Sequence, residues 1–416
     1  MKNNFEKDKQ YYKFCMYGFF KNLRFFEPFF MLFLKEKGLS FTEIGSLYAI
    51  REILINLLEI PTGIVADGLG RRRSMIFSFL SYIVSFFIFY VSKSFFIFIF
   101  AMIFYSFGET FRSGTHKAMI MEYLSLKNWK DYKVEYYGNT RSWSQIGSAI
   151  SSIIAAILVL YAGNYSMIFL ASIIPYFIDL INLSTYPKEL DGDIQKINLK
   201  DIKLHFKNVF KGIFNSFKNK EFLKAIINSS FYAGYYKSMK DFLQPIIKML
   251  ALNIPIFLFL NDQKRVSIFV GIVYFILYIL TAISSKNSSK IVKKYKTLEK
   301  PLNLTMIIGL LSGMMSGIFF VFELYYLSTI FFFLIYIIEN LRKPIAVSKV
   351  SQEIDLKSMA TGLSTESQFE TIFTAIMIFF MGLIADISNV GISLIVLSIF
   401  SILISNIFRF KISSSR

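Results

Sequence analysis

Gly63-Ile-Val-Ala-Asp67-Gly-Leu-Gly70-Arg71-Arg72-Arg73 is a short polar passage between two long apolar runs. Its glycines permit a sharp reversal, and three consecutive arginines at the end of an apolar helix place their charges among lipid headgroups. The aspartate in the same turn can pair with a neighbouring helix. Composition agrees with a chain that lives in lipid. Of 416 residues, 54% are hydrophobic, 48 are Phe and only 18% are charged, so the chain carries more apolar surface than a water-soluble core could hide. The single cysteine, Cys15, excludes an internal disulfide and a thiolate metal site. The polar start 1–10 runs into an apolar span without a small-residue cleavage site, so the first span is expected to be retained. The net charge of +18 collects in the short connections between apolar runs, which points to membrane topology rather than nucleic-acid binding.

Apolar windows of helical length number about twelve, near 12–34, 43–66, 74–92, 95–118, 139–162, 166–184, 222–249, 266–285, 302–322, 325–347, 361–385 and 390–410. Lysine and arginine crowd the connections on the side that would hold both termini, which makes both ends cytoplasmic. The longest connection divides the chain into a half 1–185, a central loop 186–220 and a half 221–416. Within that loop Leu199, Ile202, Phe206, Val209, Phe210, Ile213, Phe214 and Phe217 recur at helical spacing opposite a row of lysines. An amphipathic helix along the inner membrane surface is expected, with a calmodulin-like target or a nucleic-acid patch as other uses of such a pattern.

The halves echo one another. Lys21, Arg24, Glu27 and Pro28 in span 1 correspond to Lys237, Lys240, Asp241, Gln244 and Pro245 in span 7, with one residue added. Glu109 and Arg112 in span 4 correspond to Glu339 and Arg342 in span 10, and Ser144-Gln145 in span 5 to Ser367-Gln368 in span 11. Three echoes in matching order argue for the internal repeat that transporters use.

The opening passage resembles the loop between spans 2 and 3 of the major facilitator superfamily, whose pattern is Gly-x-x-x-Asp-(Arg/Lys)-x-Gly-Arg-(Arg/Lys). Gly63, Asp67, Gly70, Arg71 and Arg72 fit, while Gly68 stands where a cation is usual. The resemblance implies an all-α integral membrane protein of twelve transmembrane helices in two pseudo-symmetric six-helix halves. It also implies a conformational latch, for which Gly63, Asp67, Gly70, Arg71, Arg72, Glu122 and Arg141 are candidates. The corresponding loop of the second half, 286–296, keeps cations but lacks the Gly and Asp pattern, so the latch would be one-sided. In that family every third helix faces lipid and the first helix of each three lines the central cavity. The charges obey this division: spans 3, 9 and 12 have none in their interiors and span 6 only Asp179, whereas spans 1, 4, 7 and 10 hold several.

A charge at the bilayer centre costs several kcal/mol or more, so it faces a water-filled cavity or a partner. At about 1.5 Å per residue, Arg24, Glu27 and Glu109 lie about 20 Å along their spans, inside a core about 30 Å thick. Arg24 with Glu27, and Glu109 with Arg112, are three apart and share a helix face. Such pairs serve helix packing as well as transport. The cavity candidates are Lys21, Arg24, Glu27, Arg51, Glu109, Arg112, Lys237, Lys240, Asp241, Glu339 and Arg342. The carboxylates Glu27, Glu109, Asp241 and Glu339 are candidates for taking up and releasing a proton. Arg51 and Glu52 are adjacent and are expected to point apart. His116 is a candidate relay, or simply a hydrogen-bonding residue near a helix end.

No zinc-binding His pair, phosphate-cradling glycine loop or aspartate-rich magnesium motif is present, so no enzyme activity, metal or cofactor is expected. Repeated halves with charged cavity helices suit alternating access better than a channel. Cations outnumber acids on the cavity spans, which favours a small organic anion or zwitterion, moved with protons by a monomer in a bacterial cytoplasmic membrane. The alternative is a proton-driven exporter of amphipathic cations. Against it, span 5 reads Gln145-Ile-Gly147-Ser-Ala-Ile-Ser-Ser152, without the Gly-Pro-x-x-Gly signature typical of the family's drug exporters.

Overall fold

The computed structural model of the chain describes residues 6–192, 220–353 and 359–410. No strand occurs among them. The helices are α1 (Lys9–Lys21), α2 (Phe30–Glu36), α3 (Phe41–Leu69), α4 (Arg71–Val91), α5 (Phe95–Arg112), α6 (Thr115–Leu126), α7 (Lys133–Ala162), α8 (Met167–Ser184), α9 (Lys220–Met239), α10 (Leu243–Asn253), α11 (Asp262–Tyr295), α12 (Glu299–Val321), α13 (Tyr325–Gln352), α14 (Met359–Ile387) and α15 (Val390–Ser405). The amphipathic segment expected beyond Tyr186 falls in 193–219, outside the described residues.

Among the described residues, eight helical segments are each long and apolar enough to cross a membrane. The expected spans 1, 2, 7 and 10 are absent from that set because they are interrupted or carry charge. Span 1 is not one helix: α1 stops at Lys21, a 3-10 turn covers Glu27–Phe29, and α2 starts at Phe30. Pro28 has no N–H to continue an α-helical ladder through this stretch. Span 7 breaks in the same way, with a 3-10 turn at Lys240–Phe242 and Pro245 just beyond it. Span 4 breaks where Gly114 adopts φ +73°, a left-handed conformation that favours glycine, and separates α5 from α6.

The described residues of Met1–Phe29 and Leu54–Leu204 form one compact unit, and those of Phe30–Ile53 and His205–Arg416 form another. In the first, α4 packs on α5 and α8, and α1 packs on α7 and α8. In the second, α12 packs on α13 and α15, and α9 packs on α14 and α13. Third span on fourth and sixth, and first on fifth, is thus the rule in both, and the repeat read from the sequence is a repeat of packing.

Chemistry repeats with it. Ser78 and Ser85 of α4 donate to the carbonyls of Gly108 (2.6 Å) and Ala101 (2.7 Å) of α5. Ser316 of α12 donates to Ser328 O of α13 at 2.9 Å, and Ser328 donates back to Ser316 O at 2.8 Å. In lipid, where apolar burial does not drive helices together, small residues and such bonds do. The other face of α4 exposes Phe77, Leu80, Val84, Phe87 and Val91 at helical spacing, and α8, α12 and α15 carry similar rows. These are the helices expected to face lipid.

Candidate functional site

A cavity of about 370 Å³ lies within the first unit, between α1, the α5–α6 break and α7. Two glycines let α1 and α7 come close enough to frame it. A Cβ on Gly147 would sit 2.5 Å from Phe19 O, and one on Gly18 would sit 2.9 Å from Ser144 Oγ. Among the described residues four cations line the space, Lys21 from α1, Arg112 at the end of α5, Lys117 from α6 and Arg141 from α7, and no carboxylate does. Asn22, Thr140, Ser144 and Gln145 add neutral hydrogen-bonding groups. Lys117 and Arg141 are exposed, and Lys117 Nζ stands 5.7 Å from the Tyr137 ring centre. His116 is buried, stacks on Tyr17 with ring centres 3.5 Å apart, and lies 3.3 Å from Tyr186 OH through Nε2.

Behind this wall Glu109 is clasped by two guanidiniums. Arg24 Nη2 reaches it at 2.6 Å and Arg112 bonds its other oxygen, while Arg112 Nε donates to Tyr82 OH at 3.2 Å. Arg24 therefore pairs across to α5 and not with Glu27, because the chain has left the helix where a three-residue spacing would bring those two together. Two cations on one carboxylate leave positive charge over. Among the described residues Lys21 Nζ makes no ion pair or hydrogen bond, so its charge is available to the cavity.

At the 63–73 reversal, Gly70 has φ +92° and precedes α4 without a side-chain cap of its own. Asp191, more than a hundred residues later, supplies the missing acceptor: its Oδ1 takes the N–H of Arg72 at 2.7 Å. The dipole at a helix N-terminus favours such a carboxylate. Arg71 pairs with Glu122 at 3.3 Å, and Arg72 Nη1 donates to Tyr186 O at 3.2 Å. The backbone of Asp67 lies in α3, and its side chain falls outside the described residues. Arg141, grouped with the latch by sequence, lines the cavity instead.

The second unit holds its own charge network. Lys237 bridges Glu370 at 2.7 Å and Glu52 at 3.2 Å, and Arg51 folds back onto Glu52 at 2.9 Å. Adjacent side chains leave a helix in different directions, but the long arginine arm closes that gap, so the expected divergence of Arg51 and Glu52 is not what forms. Lys240 pairs with Asp241 at 3.2 Å, and Ser229 bonds Glu366. Arg342 is 1% exposed, and its guanidinium is spent on Leu302 O, Thr305 Oγ1 and both oxygens of Asn228. Glu339 is buried on the same helix. Sequence reading passed over Lys117, Asp191, Glu366 and Glu370. The last two are four apart inside an apolar span, a spacing that puts both carboxylates on one face and was there to be read.

The family model of the Major Facilitator Superfamily matches residues 14–369. An MFS-type transporter of Bacillus subtilis (strain 168), YxaM, described as uncharacterized, is 27% identical over 237 residues. That alignment covers 55% of this chain and 56% of the relative, so the chain spans little more than half the length of the relative it matches. The fold resembles the nucleoside transporter NupG, with a TM-score of 0.71 at 15% identity over 96% of this chain and 97% of that one. It also resembles a POT family transporter solved with 5-aminolevulinic acid, with a TM-score of 0.70 at 13% identity over 96% and 94%. With the motif at 63–73, the repeated packing and a family match across most of its length, this chain belongs to the major facilitator superfamily and is a multi-pass membrane protein.

Proposed function

We propose that the protein moves a small organic anion, or a zwitterion held by its anionic end, across the bacterial cytoplasmic membrane by alternating access coupled to protons. The observation that carries this reading is the cavity lined, among the described residues, by Lys21, Arg112, Lys117 and Arg141 without a carboxylate. Partly desolvated cations attract an anion far more strongly than the same groups in water. Glu109, held between Arg24 and Arg112, keeps those two guanidiniums apart and oriented. In this reading 1–185 and 221–416 are the two halves of a monomer with both termini in the cytoplasm, and 186–220 connects them. Gly63, Asp67, Gly70, Arg71, Arg72 and Glu122 govern conformational balance. Glu27, Asp241 and Glu339 stay in reserve as proton carriers, and Arg51, Lys237 and Lys240 hold the charge network of the second half.

The test is thermal stability of the purified protein against a panel of anionic metabolites and cationic amphiphiles, since a bound ligand raises the melting temperature by mass action. Stabilisation by an anion that is lost in Arg112→Ala supports the reading. Stabilisation by cationic amphiphiles alone, unchanged in Arg112→Ala, refutes it and restores the drug exporter.

A further inference from the structure

Asp179 is the one charged residue in the interior of span 6, a helix that otherwise faces lipid with Ile174, Phe177, Ile178 and Ile181. It does not face lipid. Its exposure is 0%, Oδ1 accepts from Asn182 Nδ2 at 3.0 Å, and Oδ2 is buried without a hydrogen-bond partner. The bonds on either side fix its position. Tyr176 OH, one turn earlier on α8, donates to Lys21 O at 3.1 Å, and Asn182, one turn later, donates to Lys13 O at 3.0 Å. Asp179 therefore lies against α1 between Lys13 and Lys21, at the level of Tyr17. Side chains on a helix lean toward its N-terminus, so Lys21 leans toward that level. Lys21 is the one cation in electrostatic reach of Asp179 among the described residues, and the same Lys21 lines the basic cavity.

A buried carboxylate needs a cation or a proton, because an unpaired charge away from water costs several kcal/mol. The groups around this one are Tyr17 from α1, Tyr82 from α4 through the Tyr176 ring, Tyr136 from α7 through Tyr186, Tyr186 itself, and His116 from α6 through Tyr17 and Tyr186. Arg112 stands beyond Tyr17 and Arg24 beyond Tyr176, and both are committed to Glu109, which with Glu27 also lies in the field of Lys21.

We propose that Asp179 and Lys21 form the proton-coupling pair of this carrier, with the Lys21 ammonium exchanged between the Asp179 carboxylate and an anion in the cavity. The proposal rests on the anion reading of that cavity. The structure holds Lys21 off the Asp179 carboxylate; in the other state of the pair Lys21 lies on Asp179, and the carboxylate is charged and paired. When an anion draws Lys21 away, Asp179 takes one proton from water, so that ion pair plus anion plus proton gives carboxylic acid plus lysine–anion pair. Charge and atoms balance, and one anion enters with one proton.

Sulfate, which does not buffer near neutral pH, is the probe. Purified protein in weak buffer is titrated with sodium sulfate while melting temperature and bulk pH are followed. The expected result is stabilisation by sulfate with uptake of about one proton per bound anion, and stabilisation without proton uptake in Asp179→Asn. Infrared difference spectra give a second readout: the carboxylic-acid C=O band grows on sulfate addition in the wild type and is absent in Asp179→Asn. In Lys21→Gln, which keeps Asp179, that band is already at full height before sulfate. Stabilisation without proton uptake in the wild type, or equal uptake in Asp179→Asn, overturns the pair and leaves the anion cavity standing. Failure of sulfate to stabilise the protein overturns the anion reading and the pair with it.

Discussion

Two residues far apart in sequence close the reversal at the start of α4. Gly70 takes a positive φ that a side chain would strain, and Asp191 caps the helix that follows. Asp191→Ala should cost about 1 kcal/mol, read as a lower melting temperature, with the sulfate response of the cavity retained. Arg342 works at the same scale in the second unit. Replacing it with Met strands the Asn228 side-chain oxygen and takes a second donor from the helix carbonyls of Asn228 and Leu302, at about 1–3 kcal/mol for the stranded amide oxygen. The expected outcome is a large fall in thermal stability with no change in anion preference. A change of preference with stability intact would return Arg342 to the substrate. Neither partnership was legible in the chain alone. Asp191 looks like a loop acid, and Arg342 finds Asn228 across 114 residues, whereas spacing speaks only of neighbours within a turn or two.

Helices were far easier to foresee than their interruptions. A run of apolar residues marks a span because lipid allows the backbone little choice but a helix. A window of about twenty residues averages over a break, so spans 1 and 7 read as continuous although the lysine, arginine and proline echoes marked both break points. Close contact between elements is likewise recorded by single residues. Gly147 lets α7 approach α1 where Phe19 O leaves no room for a side chain. Gly147→Leu should push the two helices apart and abolish anion stabilisation. Gly138→Ala, on the same helix at a point with nothing within 4 Å, should leave both melting temperature and anion response unchanged. Loss of the response in both variants would show that α7 tolerates nothing, and that the Gly147 crossing is not special.

The arrangement of spans makes a prediction about sides. Cys15 is buried, so the native thiol gives little background to a membrane-impermeant maleimide. In a Cys15→Ser background, a cysteine at Lys296, beyond α11, should label only after the cells are opened. One at Phe259, between α10 and α11, should label in intact cells. The reverse pattern would place both termini outside. The charge asymmetry that supports this orientation was fully legible, because lysines and arginines in short connections follow topology whatever the fold.

The four spans that fail as free-standing membrane crossings have a consequence for how the chain is made. A segment enters the bilayer from the insertion machinery in proportion to its own apolarity, and each intramembrane Lys, Arg or Asp works against entry by about 2.5–3.5 kcal/mol. α3, with Arg51 and Glu52, and α13, with Glu339 and Arg342, are poor candidates to leave alone. Each is followed at once by a partner in synthesis, the apolar α4 after α3 and the apolar α14 after α13. Biogenesis would then proceed by pairs, with the charges of α3 and α13 carried into lipid by the apolar helix that follows each.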